Sequence, residues 1–419
     1  MKKLLLVALA LLATAGLLFA SGQGGEPTKL ELTGGTAAYL FQGLPLEKIA
    51  ADYSAAHPNV DVELVPFPED WSAVLSKLQL EAVRQTATYD FITAAAAFLD
   101  VATAGKLGVI EPIDAYLPKE VKDDMLPSIR QEMLMDGKMY AFPMVTDIVG
   151  FIYRPSYLKK GGYANPPATW DDLLTYCKKL DQVYAGQEMW PLGFDWYWRP
   201  WGGYIPILQS YTDKPFQDGK TDTWSPAAKK TLELMKAYYP YMPPSAAGNL
   251  EASKAFQAGA VAMEIYWQPQ MLRAIQAGQP EDDLRMVSTP KGTRGGTVFW
   301  STGYMLTKYG QDKQACVDFL SDALRGETFY KGAVANWKLL PFSSAYTMVK
   351  DDLLPFFPDL ISRLESGEAV AMPNSGYMMA AELDVMREEL TKLMNDEQTV
   401  QQAMDNMTKR ISQKIAEME

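Results

Sequence analysis

Histidine occurs once in this sequence of 419 residues, and cysteine twice. Structural or catalytic zinc takes three or four ligands, mostly imidazoles and thiolates, so a zinc site of the usual composition is excluded. A Ser–His–Asp triad would have to be built on His57 alone. That residue precedes Pro58 at the end of a helical pattern, where a capping or surface role is expected. Basic residues are the minority charge, 39 Lys+Arg against 51 Asp+Glu, for a net charge of -12 and a pI near 4.8. Groove binding of nucleic acid needs a basic footprint to displace counterions, and none is present. GxSxG, HExxH, CxxC, GxxxxGK[ST] and GxGxxG are all missing, which removes the usual support for hydrolase, zincin, redox, P-loop and dinucleotide-binding readings. Beyond the first segment no stretch approaches 18 uninterrupted apolar residues, and neither a solenoid repeat nor a low-complexity tract occurs.

The first segment, MKKLLLVALALLATAGLLFASG (1–22), has two lysines, an apolar run from Leu4 to Ala20 and a small-residue exit. That is the pattern of a secretory signal peptide; its apolar run overlaps the lower limit for a membrane span, so an uncleaved anchor is the alternative. The mature protein is expected to be exported and soluble, periplasmic or secreted. Cys177 and Cys316 are the only cysteines, so no cysteine follows the apolar run and lipid attachment there is not expected. Both lie on helical patterns beside apolar neighbours, which favours buried free thiols over a bridge. With 48% hydrophobic and 21% charged residues the chain is globular in composition, and its length suggests two or three domains.

Helical and strand patterns alternate. Leu46, Ile49, Ala50 and Tyr53 recur at helical spacing; Val60, Val62 and Leu64 alternate with acids in VDVELVPF (60–67). A second helix follows on Val74, Leu75, Leu78 and Ala82, and Tyr89–Ile92 is a short apolar strand. Helices alternating with strands, with few hairpins, predict an α/β fold with a largely parallel sheet. DGKMYAFP (136–143) is the exception, a turn before a short β segment. Thr169 and Asp172 bracket a helix start, as do Ser225 and Pro226. KGTRGG (291–296) reads as a loop before the apolar strand TVFWSTGYML, and the C-terminal tail is an amphipathic helix on Ala403, Met407, Ile411 and Ile415.

Aromatic residues carry the strongest functional signal. WPLGFDWYWRPW (190–201) holds four of the ten tryptophans. Indole and phenol faces suit the apolar patches of pyranose rings, and neighbouring carboxylates accept hydroxyl hydrogen bonds. Trp196, Trp198 and Trp201 flanked by Asp195 and Arg199 have this mix, as do Tyr266–Trp267 after Glu264, Trp300 before Ser301, and Asp70–Trp71. Each single tryptophan has core filling as its ordinary reading; the cluster with Arg199 and two prolines points at least one of them to a cleft or a partner. Glycoside hydrolysis needs only two carboxylates, and Asp70, Asp147, Asp195 and Glu264 all sit beside aromatic or apolar residues, so a secreted glycosidase or lyase stays open. Tyr238–Tyr239 closes a helix with no histidine nearby and is not expected to bind iron. Asn406–Thr408 matches a glycosylation sequon but lies on a helix.

Several segments in order resemble one family. AAHPNVDVELVPF (55–67), TYDFITAAAAFLDVATAGKLGVIEPIDAYL (88–117), DGKMYAFPMVTDIVGFIYRPSYLKKGG (136–162), PPATWDDLL (166–174), EASKAFQAGAVAMEIYW (251–267), FWSTGYMLTKYGQDKQACVDFL (299–320) and NWKLLPF (336–342) are similar to the extracellular solute-binding proteins of ABC importers, family 1, the maltose-binding type. The resemblance covers nearly the whole mature chain and departs from many members in lacking a lipobox cysteine. It implies the two-lobe periplasmic-binding-protein fold (type II), with a hinge crossed three times, near Val145–Ile148, Arg294–Phe299 and Asn336–Leu340. Lobe one would be 27–146 plus 297–338, and lobe two 147–296 plus 339–419. It further implies a monomer without cofactor or metal that captures a sugar or oligosaccharide between its lobes and presents it to the membrane subunits of the importer. The solute contacts implied are Tyr39, Asp70, Trp71, Asp147, Asp195, Trp196, Trp198, Arg199, Glu264, Trp267, Trp300, Ser301, Tyr304 and Trp337. A polyamine held by acids within an aromatic box is the alternative solute on the same fold.

Overall fold

The computed structural model describes residues 29–67, 71–194, 196, 200–244, 251–372, 377 and 381–418; the leader (1–22) lies outside them. Its strands are β1 (Leu30–Ala37), β2 (Val60–Phe67), β3 (Phe91–Ala94), β4 (Ile110–Glu111), β5 (Leu134–Met135), β6 (Lys138–Met139), β7 (Ala141–Tyr153), β8 (Trp190–Phe194), β9 (Phe216–Gln217), β10 (Lys220–Thr221), β11 (Val261–Trp267), β12 (Arg285–Val287), β13 (Thr297–Thr307) and β14 (Ala369–Ala371). Seven of them form the path β2-β1-β3-β13-β7-β11-β8, with β4 and β14 on β13 and β12 on β7.

Local chemistry accounts for most of the helices. Leu46, Ile49, Ala50 and Tyr53 form the buried stripe of Leu46–Ala56. His57 ends that helix, its ring stacked on Tyr53 at 4.0 Å. Thr169 and Asp172 make a reciprocal capping box on Trp170–Val183, each side chain bonded to the other's backbone N–H at 3.0 and 3.1 Å. Ser225 caps Pro226–Tyr238 with proline at the tolerated first position. Cys177 and Cys316 are both free and buried.

Parallel pairing lies at the two ends of the strand path and where β14 joins β13. β1 pairs in parallel with β2 and β3, and β11 with β8. Between them β13 runs antiparallel to β3 and β7, and β7 antiparallel to β11. The expected short β segment ending at Pro143 is in fact the longest strand, β7, which continues to Tyr153. Proline cannot donate to a ladder and is confined to edges and bulges. Pro143 lies opposite Gly303, where the register shifts between Thr302 and Gly303. Gly303 is required there, because a Cβ would stand 2.3 Å from the Phe142 carbonyl oxygen.

β7 changes partners along its length. Ala141–Ile148 pairs with β13, and Val149–Tyr153 with β11 and β12. Every β7 residue except Tyr153 is buried, which explains why its sequence is apolar apart from Thr146 and Asp147 and shows no alternation; a strand covered on both faces needs none. Gly150 admits β12, since its Cβ would meet Met286 Cε at 2.2 Å. The chain therefore folds as two α/β halves joined by shared strands. The segment after Asn336–Leu340 packs on the first half, so the chain does not change sides at that expected crossing: Met125 bridges Phe342, Ser344 N–H donates to Asp124 at 2.9 Å, and Ser128 Oγ donates to the Leu364 carbonyl at 2.9 Å. The sequence reading placed these residues with lobe two; apolar and polar contacts to Lys119–Asp124 and Pro127–Glu132 hold them to the other side. Leu383–Met394 and Val400–Met418 pack on the second half, against Pro200–Gln209 and Pro226–Tyr238.

Those two terminal helices are clasped by one carboxylate. Glu389, almost fully buried, accepts from Lys392 Nζ at 2.9 Å, Arg410 Nη1 at 2.5 Å and Asn406 Nδ2 at 3.2 Å. Burial alone would raise its pKa, but these donors outweigh it and hold the carboxyl below the usual range. Such a group stabilises the fold above the ordinary glutamate pKa, and its contribution is lost as pH falls through the lowered folded value. Glu389→Gln is expected to cost about 3 kcal/mol in urea denaturation at pH 7, with the gap to wild type narrowing in acid. A cost that is unchanged down to pH 3 would show that the charge is not what holds the helices.

Candidate functional site

In open α/β sheets a ligand lies outside the carboxyl ends of the parallel strands. Here those ends converge from both halves. β1, β2 and β3 finish at Ala37, Phe67 and Ala94; β8 and β11 finish at Phe194 and Trp267. Ala94 pairs with Gly303 on β13, and Trp267 with Val149 on β7. Only the span Phe299–Thr302, paired with Val145–Ile148, separates the two sets of ends.

Antiparallel partners point to the same face, so Trp300 opposite Asp147, Thr302 opposite Val145 and Trp267 opposite Val149 share one side of this span. The Trp267 and Trp300 rings meet edge to face at 5.2 Å. Asp147 accepts from Lys338 Nζ at 2.7 and 2.9 Å and from Gln268 Nε2 at 3.0 Å. Gln268, wholly buried, also accepts from Ile148 N–H at 2.8 Å and donates to the Thr146 carbonyl at 3.0 Å. Its side-chain amide thus imitates one more residue of β11 and carries that ladder onto the shared strand. Thr302 Oγ1 donates to the Ala95 carbonyl at 2.9 Å, pinning the loop after β3.

Lys338 reaches Asp147 because of an unusual helix end. Glu327–Ala335 closes with Lys338 N–H bonded to the Ala333 carbonyl and Trp337 N–H to the Val334 carbonyl, a Schellman arrangement. Its left-handed position, normally glycine, is Trp337 at φ 59°, which costs roughly 1–2 kcal/mol. The turn sends the chain antiparallel past Thr146, where Leu339 and Thr146 exchange both backbone hydrogen bonds.

The opposite face of the same span holds a buried polar cluster. Thr146 and Ser301 hydroxyls lie 2.9 Å apart, and Ser301 N–H donates to Glu132 Oε1 at 2.9 Å. Burial pushes the Glu132 carboxyl up to about 8, against the smaller lowering effect of the Ser301 donors.

The structure gathers Asp147, Trp267 and Trp300 at the junction. Tyr39, on the turn after β1, is 37% exposed, and Trp71 opens the helix after β2. The Trp71 indole N–H is buried and has no hydrogen-bond partner among the described residues. Other sequence candidates lie inside the protein. Trp196 is fully buried against Tyr239, and Trp201 is buried too. Glu264 is fully buried, accepting from Ser253 Oγ and Gln270 Nε2 at 2.9 Å each, so it ties Glu251–Gln257 to Pro269–Gln276. Tyr304 bonds Thr36 at 2.9 Å within the first half's core. Ser301 faces Glu132, and Trp337 packs on Phe356 at 5.4 Å. Asp70, Asp195, Trp198 and Arg199 lie outside the described residues. Sequence reasoning missed Lys338, Gln268, Thr302 and Glu132; only Lys338, beside Trp337, carried any signal. Among the described residues no group of three His, Cys, Asp or Glu could hold a metal ion, and no helix is long and apolar enough to cross a membrane.

The family model for bacterial extracellular solute-binding proteins matches residues 48–352. The chain belongs to that family. A probable ABC transporter-binding protein of Deinococcus radiodurans is 25% identical over 351 residues, covering 79% of this chain and 81% of the relative. The chain spans about half the length, 54%, of the Brucella relatives that it matches at 25% identity. Among solved structures, the sugar-binding protein MalE of Xanthomonas citri superposes with a TM-score of 0.77 at 17% identity, over 93% of this chain and 98% of that one. The maltotriose-binding protein of Thermus thermophilus gives 0.71 at 19% identity, over 92% and 100%. The fold is the two-lobe α/β fold of periplasmic binding proteins.

The buried carboxyl of Glu132 makes stability depend on pH. Its folded value near 8 stands above the unfolded value of about 4.3. The folded state therefore prefers the protonated form, and stability is lost as pH rises across that window. Glu132→Gln cannot ionise, so it should match wild type in thermal melts near pH 5 and exceed it increasingly up to about pH 8. Parallel melting curves from pH 5 to 9 would rule this out.

Proposed function

We propose that the protein is a non-catalytic receptor that captures a carbohydrate between its lobes and delivers it to the membrane subunits of an ABC importer. The reading rests on one observation above all: two indoles and a charged Asp147–Lys338 pair share one face of the strands that join the lobes. Aromatic faces bind the apolar side of a sugar ring, while a carboxylate and an ammonium serve its hydroxyls as acceptor and donor. The buried Trp71 N–H adds a donor in want of an acceptor, at the end of β2. Two structural relatives are named for sugar or maltotriose binding, which supports the same class of solute.

The hinge of this reading is of type II, crossed by β7 near Val145–Val149 and by β13 near Thr297–Thr302; the third crossing falls after β14 (Ala369–Ala371) and before Leu383–Met394 rather than at Asn336–Leu340, because the segments on both sides of Asn336–Leu340 pack on the first half. Lobe one comprises 27–146 and 297–338, as the sequence suggested, with 342–371 added from their packing. Lobe two comprises 147–296 and the two terminal helices. The acids of the site favour binding over turnover. Asp147 is already engaged by Lys338 and Gln268, and Glu264 is spent on holding two helices together.

A thermal-shift panel of maltotriose, mannotriose, mannitol, spermidine and putrescine tests the assignment, because a ligand of the folded state raises stability by mass action. A saccharide at a hundredfold excess over Kd should stabilise by about 2.7 kcal/mol and be recovered unchanged. Trp300→Ala and Trp267→Ala should each weaken its binding at least about tenfold, the loss of one stacking and desolvation contact. Preference for spermidine over every sugar would move the solute to the polyamines, and release of hydrolysed sugar would make the protein an enzyme.

A further inference from the structure

One sizeable cavity lies away from the Trp267–Trp300 face. It measures ≈ 790 Å3 and lies between β12 with Pro269–Gln276 on one side and Trp337 with Leu354–Phe356 on the other. Its place on the sheet follows from register. Met286, in its wall, pairs with Ile152 and covers Gly150. It therefore belongs to the face of even-numbered β7 residues, whereas Asp147 and Val149 with Trp300 and Trp267 belong to the other. The cavity sits behind the hinge.

Its chemistry is distinct from that of the sugar face. Met271, Met286, Leu284, Leu354, Trp337 and Phe356 supply an apolar chamber, and the last two form an aromatic corner with ring centroids 5.4 Å apart. The lining acids are Glu281, Asp282 and Asp359, against one cation, Arg285. Asp359 is engaged by Arg363 at 3.2 Å and Ser288 at 2.9 Å, and Arg285 donates to the Leu284 carbonyl at 2.8 Å. Glu281 and Asp282 stand exposed at the rim. A chamber of this size is in the range that holds small organic ligands, about 300–1,000 Å3, and an aromatic corner with an acidic rim selects a cation.

We propose that this cavity is a second ligand site, for a small amphiphile with an aromatic body and a single ammonium group, and that its occupant favours closure of the lobes in front. The second clause rests on the hinge reading above. One wall belongs to lobe two, while Leu354–Phe356 belongs to the segment packed on lobe one. A rotation that parts the front of a shared strand narrows the space behind it, so a molecule lodged behind resists opening. The coupling is reciprocal: the occupant strengthens solute binding by the factor with which solute strengthens its own.

The probe is 2-(2-naphthyl)ethylammonium, titrated calorimetrically into the full mature chain, with 2-naphthylacetate as the anion of like body. The cation should bind saturably and the anion far more weakly. Replacing both rim acids (Glu281→Gln with Asp282→Asn) should weaken the cation about threefold to tenfold, as two exposed ion pairs would. Met271→Trp, which fills the chamber, should abolish binding, and Phe356→Ala, at a half-buried position that tolerates truncation, should weaken it severalfold. Equal binding of cation and anion, or binding that survives both Met271→Trp and Phe356→Ala, overturns the site. Repeating the titration with a saturating sugar from the panel should raise the probe's affinity severalfold; an unchanged affinity overturns the coupling. Should no sugar bind, the carbohydrate reading fails while the probe titration alone still decides the site.

Discussion

β7 belongs to two sheets at once, and most of the molecule is arranged around that fact. Through Ile148 it completes the sheet of the first half; from Val149 it completes that of the second. A one-residue slip would turn Asp147 inward and Ile148 outward in both halves together, so register has to be held more firmly than in a strand with one buried face. The protein does this with side chains acting as backbone. Gln268 satisfies Ile148 N–H and the Thr146 carbonyl where β11 has ended. Thr297 Oγ1 donates to the Val149 carbonyl at 2.5 Å where β12 has stopped and β13 has not yet paired with β7. Leu339 takes the remaining bonds of Thr146. The strand changes sheets without leaving the buried polar groups at its midpoint unsatisfied.

The two faces of this junction carry different electrostatic problems. On one, Asp147 and Lys338 are both largely buried, and their attraction is offset by the loss of water around each. Such a pair adds little net stability, but it can form only when Trp337–Leu339 lies in the right place beside Thr146, so its value is positional. The Schellman turn at Trp337 tells the same story, since a left-handed tryptophan is strained and only the alignment of Lys338 and Leu339 repays it. On the other face Glu132 is buried and accepts from Ser301 N–H, and burial raises its carboxyl pKa. There the carboxyl keeps its proton instead.

The alternating helix and strand patterns were readable because each depends on residues close in sequence. The stripe Leu46, Ile49, Ala50, Tyr53 and the Thr169–Asp172 box are local, and both are found as expected. β7 was read too short because Pro143 is a stop signal for an isolated strand, and its licence, the bulge opposite Gly303, comes from a segment more than 150 residues away. Aromatic clustering did not separate residues of two different placements. Trp196 and Trp201 fill the core, while Trp267 and Trp300 meet at the junction, and nothing in their immediate neighbours distinguishes them. Gln268 and Glu132 gave no local signal at all: each takes its meaning from a partner on the shared strand.

Burial of the junction bears on how a solute enters. Trp300 is 3% and Trp267 7% exposed, so neither ring offers a face to solvent in this arrangement. In the proposed reading, a sugar that stacks on either arrives when the lobes are further apart and becomes enclosed as they approach. Its binding free energy is then divided between contacts and the shift in lobe position, because a ligand moves such an equilibrium only by its difference in affinity for the two arrangements. Contacts made to one lobe alone do nothing to close the cleft; those made to both at once do. Residues carried by the crossing strands themselves move least with rotation and fix where the solute sits. In the proposed reading closure falls to groups further out on the strand ends, with Tyr39 and Trp71 as candidates, since such positions travel furthest.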